Sequence, residues 1–188
     1  MELLAVLSAF GLSASAGLNA YIPLLVIALV AKFTNLVQLS SPWDALTSWW
    51  IIGILLVLSV IEFFADKIPA VNHINDAIQT FIRPTAGAVA FAASTSVVSE
   101  MSPVFALAMG LLVAGGIHTV KSVAVRPVLT ATTGGAANVP VSMAEDAIST
   151  IVSILSIVVP VVIACVLILV TTWLVTRWIF RDRSKTAI

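Results

Sequence analysis

Long apolar runs follow one another along this chain, and a few short polar stretches interrupt them. The first run covers residues 3–32, longer than the about 20 residues that one bilayer span requires. Inside it lies GLSASAGLNAYIP, with Gly11, Gly17, Asn19 and Pro23. Glycine weakens a helix, and proline cannot donate to the carbonyl one turn back. The run is therefore expected to be either one kinked helix or two half-helices meeting at Asn19. Alternatively, its small residues simply form a helix-packing face. A connector, NLVQLSSPWD, follows, with Ser41 or Asp44 placed to cap the next helix. Trp43, Trp49 and Trp50 mark the point where that helix enters an interface, and it runs to about Phe64.

The next stretch, IEFFADKIPAVNHINDAIQTFIRP, is unusually polar. Proline suits the first position of a helix and disfavours helix in the residue before it. Arg83-Pro84 thus predicts a new helix from Pro84 to about Val98. SEMSP is read as a tight loop carrying Glu100, and Pro103 opens a further helix through FALAMGLLVAGGIHTVK. SVAVRPVLTATTGGAANVPVSMAED is rich in Gly, Thr, Pro and charge. The last apolar run, residues 147–180, would measure about 50 Å as a helix. It must tilt, kink at Pro160, project or split.

Two segments look alike. DKIPAVNHINDAIQTFI (66–82) and ANVPVSMAEDAISTIV (137–152) align Pro69 with Pro140, Asp76-Ala77-Ile78 with Asp146-Ala147-Ile148, and Thr80 with Thr150. Upstream, GILLVLSVIE and GLLVAGGIH set Glu62 opposite His118. An internal repeat is expected, with units at about 45–100 and 103–176.

Composition sharpens this picture. Of 188 residues, 60% are hydrophobic and 10% charged, against roughly 25% charged in soluble domains; mean hydropathy is +1.13. The fold class expected is an all-α, polytopic transmembrane helix bundle with broken or re-entrant helices, one integral membrane domain over 1–188. Glu2 stands where a signal peptide would carry Lys or Arg, so the first run is read as a retained segment. The basic tail, residues 177–188 with Arg177, Arg181, Arg183 and Lys185, should be cytoplasmic. A formal net charge of zero gives nucleic acid no electrostatic hold.

Charge is unevenly spread. Segments 62–83 and 118–146 hold Glu62, Asp66, Lys67, Asp76, Arg83, Lys121, Arg126, Glu145 and Asp146, nine of the eighteen formal charges, and both histidines, His73 and His118. Glu62 and Asp66 share a helical face, as do His118 and Lys121. Ionisable groups at membrane depth are costly and usually face a bundle interior or a wet cavity. Pairing is expected between Glu62 or Asp66 and Lys121 or Arg126, and between Arg83 and Glu145 or Asp146. Residues 67–83 and 123–146, punctuated by Pro69, Pro127, Gly134, Gly135 and Pro140, are read as re-entrant or broken hairpins. Together with Asn138 and the helix starts at Pro84, Asp76 or Asp146, Arg83 and Arg126 could hold a carboxylate or phosphate. The alternative is a set of ordinary loop charges, with Asp76, Glu145 and Asp146 capping helices. No motif for a cofactor, a hydrolase or a nucleotide is present. Two histidines and one cysteine argue against a histidine- or thiolate-rich metal site, and an oxygen site from Glu62, Asp66 and Asp76 is the remaining metal alternative.

At GLNAYIPLL, IEFFADKIPAVNHINDAIQTFIRPTAGA and RPVLTATTGGAANVPVSMAED the chain resembles the bacterial membrane-protein family called domain of unknown function 4126, over roughly residues 5–175. The resemblance implies a small polytopic protein of the bacterial inner membrane and carries no activity or catalytic residues. In plan alone, charged hairpins beside broken helices also resemble the DedA-type proteins linked to lipid transport, though their motifs are not found here.

The functional expectation is a small transporter or permease for an anionic or lipid-headgroup-like substrate, with proton coupling. Glu62, Asp66 and His118 would titrate; Lys67, Arg83, Lys121 and Arg126 would contact the anion. One alternative is a structural or assembly subunit whose charges meet a partner. The other is a membrane-embedded enzyme acting on a lipid through Asp66, Asp76 or His118. Membrane lipid is the expected surrounding, and a homodimer the expected assembly.

Overall fold

The structure, a computed structural model, describes residues 2–96, 98 and 101–183. Glu100 and Lys185 lie outside the described residues, as do the side chains of His73, Cys165, Arg177, Trp178, Arg181 and Arg183. The described residues are all-α, in the order α1 (Glu2–Leu18), α2 (Tyr21–Phe33), α3 (Trp49–Ala65), α4 (Pro69–Ser94), α5 (Pro103–Thr119), α6 (Arg126–Thr133) and α7 (Asn138–Arg183). A 3₁₀ turn, Trp43–Thr47, precedes α3, and a π-helical segment, Val120–Val125, joins α5 to α6.

Helix α1 is the axis of the bundle and packs against α4, α5 and α7, while α2 packs on α3, α7 and α4. Small residues allow these close approaches. A β-carbon on Gly17 would meet the Ala114 carbonyl of α5 at 2.6 Å, and one on Gly87 would strike Ala114. Serines tie α1 to α7: Ser15 Oγ lies 2.8 Å from Ser149 Oγ and 2.7 Å from Ser153 Oγ. Such stripes let backbones approach and hydrogen-bond across the interface.

The side-chain distribution is inverted relative to a soluble protein. Many buried positions are small or polar, such as Ala16, Ala90, Ser13, Asn19 and Arg83, all at 1% exposure or less, beside a few large apolar ones such as Leu12, Ile27 and Phe91. Large apolar side chains point outward, including Trp50, Phe81 and Val104 at 76–84% exposure. Among the described residues, two helical segments are long and apolar enough to cross a membrane, Pro103–Thr133 and Asn138–Pro160; Leu3–Leu18, Tyr21–Phe33 and Trp49–Ala65 are apolar but shorter.

Several sequence expectations need correction. The run 3–32 does break at Asn19, into two helices, whereas Pro23 lies harmlessly in the first turn of α2, where its missing N–H is not needed. Neither Ser41 nor Asp44 caps α3, because the 3₁₀ turn intervenes and Ser48 precedes the helix without a side-chain cap. No helix starts at Pro84. Helix α4 begins at Pro69 and runs through Pro84 to Ser94, so residues 69–83 are one helix and not a re-entrant hairpin. Proline costs one backbone bond there. Arg83 just before it is held in ion pairs, the turns after it pack against α1 and α5, and Pro84 lies against Gly115. These contacts outweigh the local loss.

The second candidate hairpin is an interrupted helical turn. Pro127 is the second residue of α6, and the π segment ends just before it. A wide turn is a standard way to lead a helix past a proline that lacks its N–H. Gly134 and Gly135 then make the turn with φ of 60° and 89°, a left-handed conformation that glycine adopts at no steric cost. Pro140 sits third in α7 and starts nothing by itself. The last apolar run belongs to that single 46-residue helix, which passes through Pro160.

Candidate functional site

Where α1 stops and α2 starts, backbone groups are left open; three side chains close them and a fourth holds one of the three. Asn19 Oδ1 accepts from the N–H groups of Tyr21 and Ile22, both at 3.1 Å. The Ala20 N–H donates to the Glu62 carboxylate from α3, at 3.2 Å to Oε2. On the other side of the break, Lys121 Nζ donates to the Leu18 carbonyl at 3.2 Å. Asp146 of α7 accepts from Asn19 Nδ2 at 3.0 Å. A carboxylate thus sits at the positive end of α2 and an ammonium at the negative end of α1, the favourable sign at each. Asn19→Ala removes two accepted bonds and one donated bond; we expect a loss of about 0.5–2 kcal/mol, typical of a lost cap, read as a lower melting temperature in detergent. An unchanged melting curve would show that Glu62 alone suffices to hold the break.

The ion pairs extend from this point. Arg83, 0% exposed like its partner Glu62, donates from Nη2 to Glu62 Oε1 at 2.9 Å and lies 3.4 Å from Asp66 Oδ2. Asp66 Oδ2 also faces Arg126 at 3.2 Å and Lys121 at 3.9 Å. Lys121 approaches Glu145 Oε2 at 2.6 Å, and Arg126 reaches Asp76 at 2.7 Å and Glu145 at 3.7 Å. Lys67 pairs with Asp146 at 3.1 Å. Asn75 and Ser142 add contacts to Asp66 at 2.6 and 3.5 Å. His118 joins through both ring nitrogens: Arg83 Nη1 lies 3.3 Å from Nδ1 and Thr80 Oγ1 3.2 Å from Nε2. A guanidinium only donates, so Nδ1 is the acceptor and the ring proton is assigned to Nε2.

Ten of the eleven residues singled out from sequence therefore lie in or beside one network. Asn138 is apart from it, at the start of α7, bonded to Thr130. Asp66 pairs with Lys121 and Arg126 as expected, whereas Arg83 takes Glu62 and Asp66, not Glu145 or Asp146, because α3 and α4 are joined by a short turn that sets 62, 66 and 83 face to face. Asp76, Glu145 and Asp146 cap nothing; each lies two turns inside its helix. The groups are packed on one another rather than lining open water, with Glu62, Asp66, Arg83 and Lys121 side chains at 0–4% exposure. A cavity of about 330 Å³ between α2, α3 and α4 is apolar, lined by Tyr21, Leu24, Leu55, Phe81, Ile82 and Val89. Glu62, Asp66 and Asp76 spend oxygens on arginine, and among the described residues no trio of His, Cys, Asp or Glu converges as metal ligands would.

Sequence reading missed Asn75, Gln79 and Ser142, and took Asn19 only as a break. Asn75, Gln79 and Arg83 recur every fourth residue, a polar stripe on one helical face. Ser142, Asp146, Ser149 and Ser153 make a similar stripe on α7. That periodicity was the signal that could have found them.

An all-α chain with a broken helix closed by a buried ion-pair network is the class that the fold and the site define. The chain matches the family described as Domain of unknown function (DUF4126) over residues 6–181 and belongs to it. No curated protein and no solved structure matches the chain.

Proposed function

We propose that this is a polytopic protein of the bacterial inner membrane, with its basic tail in the cytoplasm, and that it works as a small permease for an anionic or lipid-headgroup-like substrate coupled to protons. The outward-facing large apolar side chains and inward-facing polar ones support a lipid surrounding. The likeness of segments 66–82 and 137–152 in sequence is the reason for a two-unit transporter plan with its site between the units.

One observation carries the reading: the protein's own side chains occupy both poles of the helix break. In broken-helix transporters, half-helix N-termini hold anionic substrate groups and half-helix C-termini hold the coupling cation. Here Glu62 stands at the first position and Lys121 at the second. A proton taken up by a carboxylate of the network frees its cation. A substrate carboxylate or phosphate then replaces it, and substrate and proton move together. Buried groups make such an exchange steep, because an unpaired charge there is strongly destabilised.

The test is proton uptake into proteoliposomes on addition of a panel of organic acids, inorganic phosphate and lysophospholipids. We expect an anion in that panel to drive uptake by wild type, and Glu62→Gln and Arg83→Ala to abolish it. Glu62→Gln keeps an oxygen for the Ala20 N–H and leaves Asp66 beside Arg83. Uptake that survives both substitutions would sink the assignment.

A further inference from the structure

The packed ion-pair network is reachable at one edge only. Asp76, Lys67, Arg126, Glu145 and Asp146 keep 10–23% of their side chains accessible, whereas Glu62, Asp66, Arg83 and Lys121 keep 0–4%. Ionisable groups at membrane depth that are not sealed inside a bundle face a wet cavity, so this edge is where water arrives.

Helix directions fix which side that is. Asn19, Ser15 and Gly11 of α1 meet, in turn, Asp146, Ser149 with Ser153, and Ser156 of α7, so the two helices run antiparallel. Ser13 and Leu18 meet Gly110 and Lys121, so α1 runs parallel to α5. Helix α2 leaves the network at Ala20, beside Glu62, and ends with Lys32 on Thr47 and Phe33 on Trp49, where α3 begins. The end of α4 is tied to that same place through Ser96 and Ser40. Hence α1, α3 and α5 run toward the network from one face, and α2, α4 and α7 run back to it. The tail at the end of α7 leaves by that face.

Lengths supply the depth. Helix α2 has 13 residues, about 20 Å, against a hydrocarbon core of about 30 Å. With Trp49 at the interface, the break at Asn19-Ala20 stops roughly 10 Å short of the opposite face. Helices α1, α2 and α3 all end at the level of the network. Only α4, α7 and the arm from α5 into α6 continue past it, α4 by about 20 Å toward its start at Pro69. Three elements enclose there what six enclose on the tail side, where Leu12, Ala16, Ala90, Phe91, Ala114 and Ser153 are all buried to 1% or less. The accessible charges lie on the three-element side: Asp76 toward the start of α4, Arg126 beyond Lys121, Lys67 after α3, and Glu145 and Asp146 near the start of α7.

We infer that α1 and α2 form a re-entrant hairpin that enters and leaves by the tail face, and that its tip at Asn19-Ala20 is the floor of an aqueous entry to the ion-pair site open only to the opposite face. With the basic tail in the cytoplasm, as proposed above, the entry faces the periplasm. Lys67, Asp76 and Arg126 are the first side chains that a charged solute meets there. The inference rests on the permease reading for what enters, not for the entry itself.

Single cysteines in the full-length Cys165→Ala chain are treated with a small, charged, membrane-impermeant thiosulfonate, in spheroplasts and in inside-out vesicles, with a tag on the tail read for protease access. Asn35→Cys, in the connector after α2, is expected to react from the tail face. Ala136→Cys, between α6 and α7, and Asn75→Cys, whose native amide touches Asp66, are expected to react from the opposite face alone. Ser13→Cys, on the tail side of the tip, is expected to react from neither. Where Asn75→Cys does not reach the membrane, Lys67→Cys takes its place. Reaction of the Asn35 and Ala136 variants from one shared face overturns the inference. So does a network cysteine that reacts from the tail face or from neither, and so does reaction of the Ser13 variant. The expected pattern with the two faces exchanged sustains the entry and overturns the cytoplasmic tail. The expected pattern in a chain that shows no uptake in liposomes sustains the entry and overturns the permease reading instead.

Discussion

Arg83→Met is expected to unfold the detergent-solubilised chain at a markedly lower temperature, with a loss of about 3–5 kcal/mol. Its guanidinium is fully buried and bonds Glu62 through Nε and Nη2, at 3.2 and 2.9 Å. Removing it leaves the Glu62 carboxylate buried with only the Ala20 N–H as a donor, while Asp66 keeps Arg126 and Lys121. The penalty is that of an uncompensated charge more than the worth of the pair. Glu62→Gln in the same chain should therefore restore part of the loss, with a coupling energy of about 1–3 kcal/mol. Gln still offers an oxygen to Ala20, so the double variant also reports whether charge or hydrogen bonding holds the start of α2. Strictly additive losses for the two substitutions would mean that Arg83 and Glu62 do not share one interaction, and the site geometry would have to be redrawn.

Gly110→Val should be comparably damaging for a different reason. A β-carbon there would strike the Gly87 carbonyl and meet Phe91 Cβ at 2.6 Å and the Ala88 backbone at 2.7 Å. Two of those obstacles are backbone of α4, which cannot rotate away, so α4 and α5 must part. Overpacking of this kind costs about 1–3 kcal/mol, occasionally more. The same opening would disturb the Ser13 hydroxyl, which donates to the Gly110 carbonyl at 2.8 Å, and with it the seat of α1. Gly116→Ala is the matched control. A β-carbon there meets nothing within 4 Å, so its melting temperature should hold or rise. Equal falls for the two would show that glycine itself, and not the close approach of α4 and α5, is what these positions require.

The local rules worked where the signal was local. The break at Asn19 was legible as an alternative because glycine and small polar residues collect there; that asparagine closes it by capping the next helix was not. At Gly134-Gly135 an interruption was legible in the same way, and the structure makes it a turn. Pro84 misled, since proline's cost is a local quantity of a few kcal/mol and the contacts that outweigh it come from α1, α3 and α5. The membership of the site was legible as charge density: nine charges in two segments of an apolar chain had to go somewhere. Their partners were not, because Arg83 to His118 spans 35 residues and Lys121 to Leu18 spans 103.

By itself the sequence determined that this chain is helical and apolar, that a break at Asn19 is one of the forms its first run can take, and that its acids and bases are concentrated in two segments. Those are consequences of composition and of near-neighbour backbone chemistry. Only the tertiary structure decided how the charges are joined. Lys121 and Arg126 show why: in an α-helix residues five apart differ by about 140°, and the two would diverge. The π segment between them, which bonds across five residues, turns both toward Asp66 and Glu145. No periodicity count along the chain contains that turn, because the partners that reward it lie on α3 and α7.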